Sequence, residues 1–344
     1  MQKTIGILAV LLAAQLALAV GMSFTGPNLA AQRPDTPLLD LGGRDVDHIT
    51  IEGPDSQQVE LVRQDEAWVL PETGNFPADT ARVEQLLARL EGLQRGLAVA
   101  TTPGAQQRFR VSDAAFERRV SLERGEEHLA TLYFGSSPGV RRVYARTSRD
   151  DAIYTTAFGI HELPVKAADW EDKGLLQIPQ DEIESIALAE FTLKRASHNP
   201  ANGKAAADSG GTSAGATWTS GDLQEDETLN QANAGALAQQ LATLRFGSVL
   251  GREAQPGYGL EEPALSFDVQ RKGGEAIQYR LGRREGEDDY VLKLSSRSEY
   301  FRLPDYAAEA LIRATGRDQL VSGGAGEAAG AAPPLPAPVK GGDS

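Results

Sequence analysis

The sequence predicts an α+β protein: a tandem duplication of one mainly antiparallel sheet unit with a single long helix, preceded by one N-terminal transmembrane helix. Three observations lead there. The same segments recur in the same order in residues 45–170 and 181–315. Each copy alternates apolar and polar residues at the two-residue period of half-buried strands. One uncharged apolar run opens the chain, from Thr4 to Met22.

That run is about 19 residues long, close to the roughly 20 needed to cross a bilayer core. Residues 1–22 therefore read as an uncleaved anchor; Ala17-Leu18-Ala19 offers the alternative, a small-x-small site for cleavage of a signal segment. With Lys3 on the short side, the positive-inside rule places the rest of the chain outside the cytoplasm. Residues 23–44, with three prolines between 23 and 40, read as a tether.

The first copy spans 45–170. HITIEG and QVELVRQ are strands by alternation, and AWVLPE completes a meander whose Trp68 packs on the sheet. A helix opens at Asp79 or Thr80, with Val83, Leu86, Leu87, Leu90 and Leu93 forming an apolar stripe at helical spacing. After a short irregular link come the strands RVSLERG, HLATLYFG, RVYARTS and AIYTTA. A junction at 171–180 follows, with ADWEDKGLL (168–176) expected as a short helix.

The second copy, 181–315, repeats this order. Ile183, Ile186 and Leu188 answer Val46, Ile49 and Ile51, and FTLKR followed by Trp218 answers VELVR followed by Trp68. The second helical stripe is Leu237, Leu241, Leu244 and Phe246. YGL (258–260) matches FRV (109–111), and LSFDVQRKGGEAIQYRLG matches RRVSLERGEEHLATLYFG. DYAAEALIRA (305–314) closes the copy as a helix. Residues 199–220 form a Gly/Ala/Ser-rich insertion expected to be disordered at a hairpin tip, where added chain costs little closure entropy. The Gly/Ala/Pro-rich residues 316–344 are expected to be a disordered tail.

Composition narrows the function classes. The formal charge of −14 is spread evenly: copy one carries 14 basic and 20 acidic residues, copy two 14 and 21. Neither offers the cationic stripe that nucleic acid requires. The absence of cysteine excludes disulfides, thiolate metal sites and a cysteine nucleophile. His48, His128, His161 and His198 lie far apart in sequence, and His161-Glu162 alone is a poor metal site. The acidic runs 222–227 and 285–289 lack EF-hand spacing and read as solvated turns. No catalytic, cofactor or metal residue is nominated, and the expectation is a non-enzyme without cofactor.

Two features stand out as candidates for partner binding. One is the junction, with Trp170 buried and Asp172 and Lys173 at its rim. The other is a charge contrast between matching hairpin tips, Arg141 and Arg142 in copy one against Asp288 and Asp289 in copy two.

The segment order now has a likeness. The apolar N-terminus, the early LLDL followed by an I-x-I strand, the VELVR–WVL meander and DWEDKGLL at 169–176 together resemble the DUF4340 family. The likeness covers residues 1 to about 315 and rests on layout plus DWEDKGLL, and the insertion at 199–220 departs from it. It implies a bacterial protein anchored in the inner membrane by one span, with its bulk in the periplasm. It also implies partnership with ABC-type transport systems akin to those of gliding motility. The expected function is a non-enzymatic extracytoplasmic scaffold or accessory protein, possible partners being transporter subunits. The alternative is a periplasmic module binding a glycan or peptide between the repeats, lined by Trp68, Trp170, Trp218, Tyr258 and Tyr300.

Overall fold

A computed structural model describes residues 36–196 and 217–323, together with Gln15. The chain divides into two compact units. Unit 1 holds the residues up to Glu72 and Thr80–Trp170; unit 2 holds Thr73–Asp79 and the residues from Glu171 onward. Both are mostly antiparallel sheet with few helices, an α+β arrangement.

Unit 1 contains β1 (His48–Glu52), β2 (Gln58–Gln64) and β3 (Ala67–Leu70); β4 (Phe76–Pro77) belongs to unit 2. Helix α1 (Thr80–Glu91), the short α2 (Pro103–Arg108), and β5 (Arg118–Arg124), β6 (Glu127–Phe134), β7 (Val143–Thr147) and β8 (Tyr154–Thr156) complete unit 1. Its sheet runs β3-β2-β1-β5-β6-β7-β8 with antiparallel pairing throughout. The period-2 pattern does what it predicts: Ile49, Ile51, Val59, Leu61, Val120 and Leu122 are fully buried while their neighbours face outward. Along α1, Val83, Leu86 and Leu90 are buried and Leu87 is half-buried, so the helix lays its stripe inward.

Unit 2 contains β9 (Ile183–Ala187), β10 (Thr192–Arg195), β11 (Trp218–Thr219), β12 (Thr228–Leu229), α3 (Gln231–Ala242) and β13 (Ser248–Gly251). Then come β14 (Leu265–Arg271), β15 (Ala276–Arg283), β16 (Tyr290–Leu294), β17 (Tyr300–Leu303), α4 (Asp305–Ala314), α5 (Arg317–Leu320) and β18 (Val321–Ser322). Its main sheet runs β11-β10-β9-β14-β15-β16-β17-β13. With β9 set against β1 and β14 against β5, this is the strand order of unit 1 with β13 added at one edge. Its core joins Ile186, Leu193, Trp218, Leu237, Leu241, Val269 and Phe301. Phe76, on the excursion that joins unit 2, packs edge-on against Phe246 at 5.8 Å and Phe301 at 6.1 Å.

Several expectations are corrected. The junction 168–176 is not a helix: only a 3-10 turn forms over Ala167–Asp169. The Asp172 carboxylate then accepts from Gly174 N–H at 2.9 Å, and Asp172 N–H donates to Pro77 O at 3.0 Å, which diverts the backbone from helical bonding. The end of the presumed tether is packed onto unit 1, because its Leu38, Leu39 and Leu41 are buried. Residues 316–322 are likewise built in: Leu320 is fully buried, Arg317 pairs with Glu227 at 2.6 Å, and β18 pairs with β12. Leu244 and Phe246 are buried but lie beyond the end of α3. The irregular link expected after α1 contains α2, whose N-cap Thr102 accepts from Ala105 N–H at 3.3 Å. Most of the 199–220 insertion and, apart from Gln15, the apolar run Thr4–Met22 lie outside the described residues. Among the described residues no helix is long and apolar enough to cross a membrane.

Candidate functional site: an arginine-lined face of unit 1

Depressions lie along the outer side of α1, where its polar face meets the segment 157–170 and the 136–142 hairpin. Helical spacing puts Arg82, Gln85 and Arg89 on one edge of α1. Three hollows of about 230, 510 and 260 Å³ follow that edge. The first has Arg82 and Trp170 in its wall, the second Arg89, Arg141 and Phe158, the third Arg95 and Arg142. Glu162 is the sole acid lining them.

Arg82, Arg89 and Arg95 are each held by a specific contact. Arg82 stacks 4.9 Å from the centroid of Trp170 and donates to Asp169 O at 2.6 Å. Arg89 makes a two-pronged bond to Glu162, at 3.1 and 2.9 Å, and lies over Phe158. The same Glu162 carboxylate accepts Gly159 N–H at 3.0 Å, so it also closes the 159–162 turn. Arg95 stands 3.9 Å from Asp150 and over Tyr154. The hairpin tip is fixed differently. The Ser137 hydroxyl sits 2.6 Å from Gly139 O and 2.7 Å from Arg142 O, donating to one or the other, and Arg141 occupies the left-handed region at φ +54°. Arg141 and Arg142 are exposed.

The residues singled out from sequence are distributed as follows. Trp170 is fully buried in unit 1, donating from Nε1 to Pro164 O at 2.9 Å. Asp172 is used in the local turn described above. Lys173 is part-buried. Its ammonium donates to the buried Glu171 carboxylate at 2.6 Å and to Gly247 O at 2.6 Å, above the Phe246 ring. Asp289 is engaged by Arg284 at 3.1 Å and Arg302 at 3.3 Å, whereas Asp288 is exposed at the tip of its hairpin beside the exposed Glu285 and Glu287. Trp68 and Trp218 are also buried, and Tyr258 packs ring against ring with Tyr300 at 5.2 Å. The structure brings together Arg141 and Arg142 with Arg82, Arg89 and Arg95, an assembly that no local motif announces.

Sequence separation also hid two polar clusters. Strand register sets His48 and His128 on either side of Glu123, at 3.4 and 3.8 Å. Among the described residues no group of three or more His, Cys, Asp or Glu side chains is placed to hold a metal ion. Elsewhere on unit 1, the buried Arg146 donates to Val111 O at 2.8 Å and to Asp113 at 2.5 Å. That hydrogen bond holds the Asp113 carboxyl below its usual range, while burial pushes the Tyr133 phenol up. Both clusters brace the sheet.

The fold and this face define a two-unit antiparallel α+β protein with a cationic surface on its first unit. The chain belongs to the DUF4340 family, described as a domain of unknown function, whose model matches residues 68–263, more than half its length. No curated protein and no solved structure matches it.

Proposed function

We propose that this protein is a non-enzymatic scaffold or accessory protein, anchored in the bacterial inner membrane by residues 4–22 and built outside the cytoplasm from two copies of one α+β unit. The apolar run and Lys3 support the anchor and its orientation. The family resemblance supports an ABC-type transport system as the partner.

The observation that carries the reading is what the two units have in common. Each places an arginine over a tryptophan across one strand pair: Arg63 over Trp68 at 5.7 Å, Arg195 over Trp218 at 5.6 Å. Each tryptophan donates its backbone N–H to the first residue of the following helix, Thr80 at 3.4 Å and Gln231 at 2.8 Å. Each crowds a glycine, Gly135 or Gly282, against a loop whose middle residue has a positive φ, Arg110 at +58° and Gly259 at +64°. These shared devices, with the common strand order, support descent from one duplicated unit. All of them hold backbone in place and none is a reactive constellation, which favours a surface that presents rather than transforms.

Crosslinking the full chain in intact cells, followed by purification from detergent-solubilised membranes, tests the proposal. The expected result is co-recovery of transporter subunits. Recovery of the chain without any transport component contradicts it.

A further inference from the structure

We propose that the hairpin tip of unit 1, Val140-Arg141-Arg142, docks on an anionic lipid surface and holds that unit against the bilayer. The inference rests on the anchored reading above and adds to it where the membrane contact lies.

Chain geometry supplies the first reason. The described chain enters unit 1 beside residues 93–95: Arg95 N–H donates to Thr36 O and Leu38 N–H to Leu93 O, both at 2.7 Å. Arg142 and Arg95 line one hollow, so the tip stands on the side where the chain arrives. The stretch 23–35, between the apolar run and Thr36, can reach at most about 45 Å when fully extended. This side of unit 1 is therefore tied close to the bilayer.

The second reason is the composition of the tip. Val140 is 90% exposed and Leu97, next to the same hollow, is 80% exposed. The Ser137 hydroxyl and the left-handed Arg141 fix Val140 at the apex of the turn rather than letting it fold inward. An exposed apolar side chain followed directly by two exposed arginines suits the boundary of headgroup and acyl chain, where the valine leaves water and the arginines meet phosphates. A projecting apex fits a flat lipid surface better than a peptide, which needs a groove around it.

Charge supplies the third. The chain as a whole is at −14, yet the acid lining these hollows, Glu162, is engaged by Arg89, and Asp150 stands beside Arg95. Arg141 and Arg142 are left for a ligand. The matching tip in unit 2 carries Glu287 and Asp288, the opposite sign, which an anionic surface repels. Each arginine near such a surface raises partitioning roughly fivefold, so the pair contributes roughly 30-fold.

Because the chain has no cysteine, Val140→Cys accepts a single fluorophore, and Asp288→Cys gives a control position. The labelled full-length proteins are reconstituted into vesicles with or without phosphatidylglycerol, containing lipids with a headgroup nitroxide as quencher. Flotation is measured alongside. The expected result is quenching at position 140 in phosphatidylglycerol vesicles, little in phosphatidylcholine vesicles, none at position 288, and loss of quenching in R141E/R142E. Protein that floats with equal fluorescence at both positions overturns the docking face and leaves the anchor standing. Protein that does not float overturns both. If R141E/R142E abolishes binding of a poly-glutamate peptide but leaves vesicle quenching unchanged, the tip is a protein-docking site and the proposal fails.

Discussion

Arg195 lies over the indole of Trp218 at 5.6 Å from the ring centroid, and the two are direct partners across the β10–β11 ladder. Arg63 and Trp68 stand in the same relation on β2 and β3, at 5.7 Å. The hairpins that carry them differ greatly, since residues 65–66 join the first pair and 196–217 join the second. The contact is kept although the loop is not. R63A and R195A are each expected to lower stability by about 1 kcal/mol, as for a partly desolvated cation over tryptophan. Urea unfolding followed by tryptophan fluorescence measures this. A cost in one unit and none in the other would break the equivalence.

Gly135 and Gly282 make a second matched pair. A Cβ at Gly135 would fall 2.7 Å from Arg110 O, and one at Gly282 would fall 2.6 Å from Gly259 O, with closer overlaps on Phe109 and Tyr258. Backbone carbonyls cannot step aside, so G135A and G282A should each cost about 3 kcal/mol. Gly104, in α2 with open space around its Cβ position, is the control: G104A should be neutral or stabilise by up to about 1 kcal/mol. Thermal melting of the three variants separates crowding from a general loss of glycine flexibility.

Glu171 is 3% exposed, and Lys173 is its ion-pair partner. Val249 N–H donates to its other oxygen at 3.3 Å, which ties the edge strand β13 to the junction. Removing only the lysine leaves a buried charge, so K173A is expected to cost about 3 kcal/mol, and E171Q/K173M less than K173A alone. Hydrogen exchange at β13 should rise in K173A. A double variant as unstable as the single one would contradict the assignment.

Asp113 gives a prediction in pH. Its hydrogen bond from Arg146 lowers its folded pKa below the ordinary 3.8. A depressed folded value contributes stability that is fully present above the unfolded pKa and disappears as pH falls through the folded one. D113N should therefore destabilise the protein at neutral pH, with the difference from wild type shrinking below pH 3.8. Urea midpoints measured from neutral to acid pH check the sign; a difference that grows toward acid would reverse it.

Much of the fold could be read from the sequence because it is written in local periods. Alternation located β1, β2, β5 and β14, the stripe from Val83 to Leu90 located α1, and DYAAEALIRA matched α4 residue for residue. What could not be read depends on register and on the direction of single polar side chains. Nothing local says that His48 and His128 share Glu123, because strand pairing alone aligns them. Lys173 and Asp289 look like surface charges until Glu171, Arg284 and Arg302 are brought beside them. The arginine face was half visible: Arg141 and Arg142 stood out by contrast with Asp288 and Asp289, whereas Arg82 and Arg89 join them only through the packing of α1. Leu38, Leu39 and Leu41 follow a proline-punctuated stretch with no period of its own, so nothing local marks them as core.

Membrane topology decides whether this protein is anchored and extracytoplasmic, as proposed. Membranes carrying the full chain are washed with alkaline carbonate, and intact spheroplasts are treated with protease. The chain is expected to stay in the membrane pellet and to be digested from outside. Release into the carbonate supernatant, or protection until the cells are lysed, would contradict it.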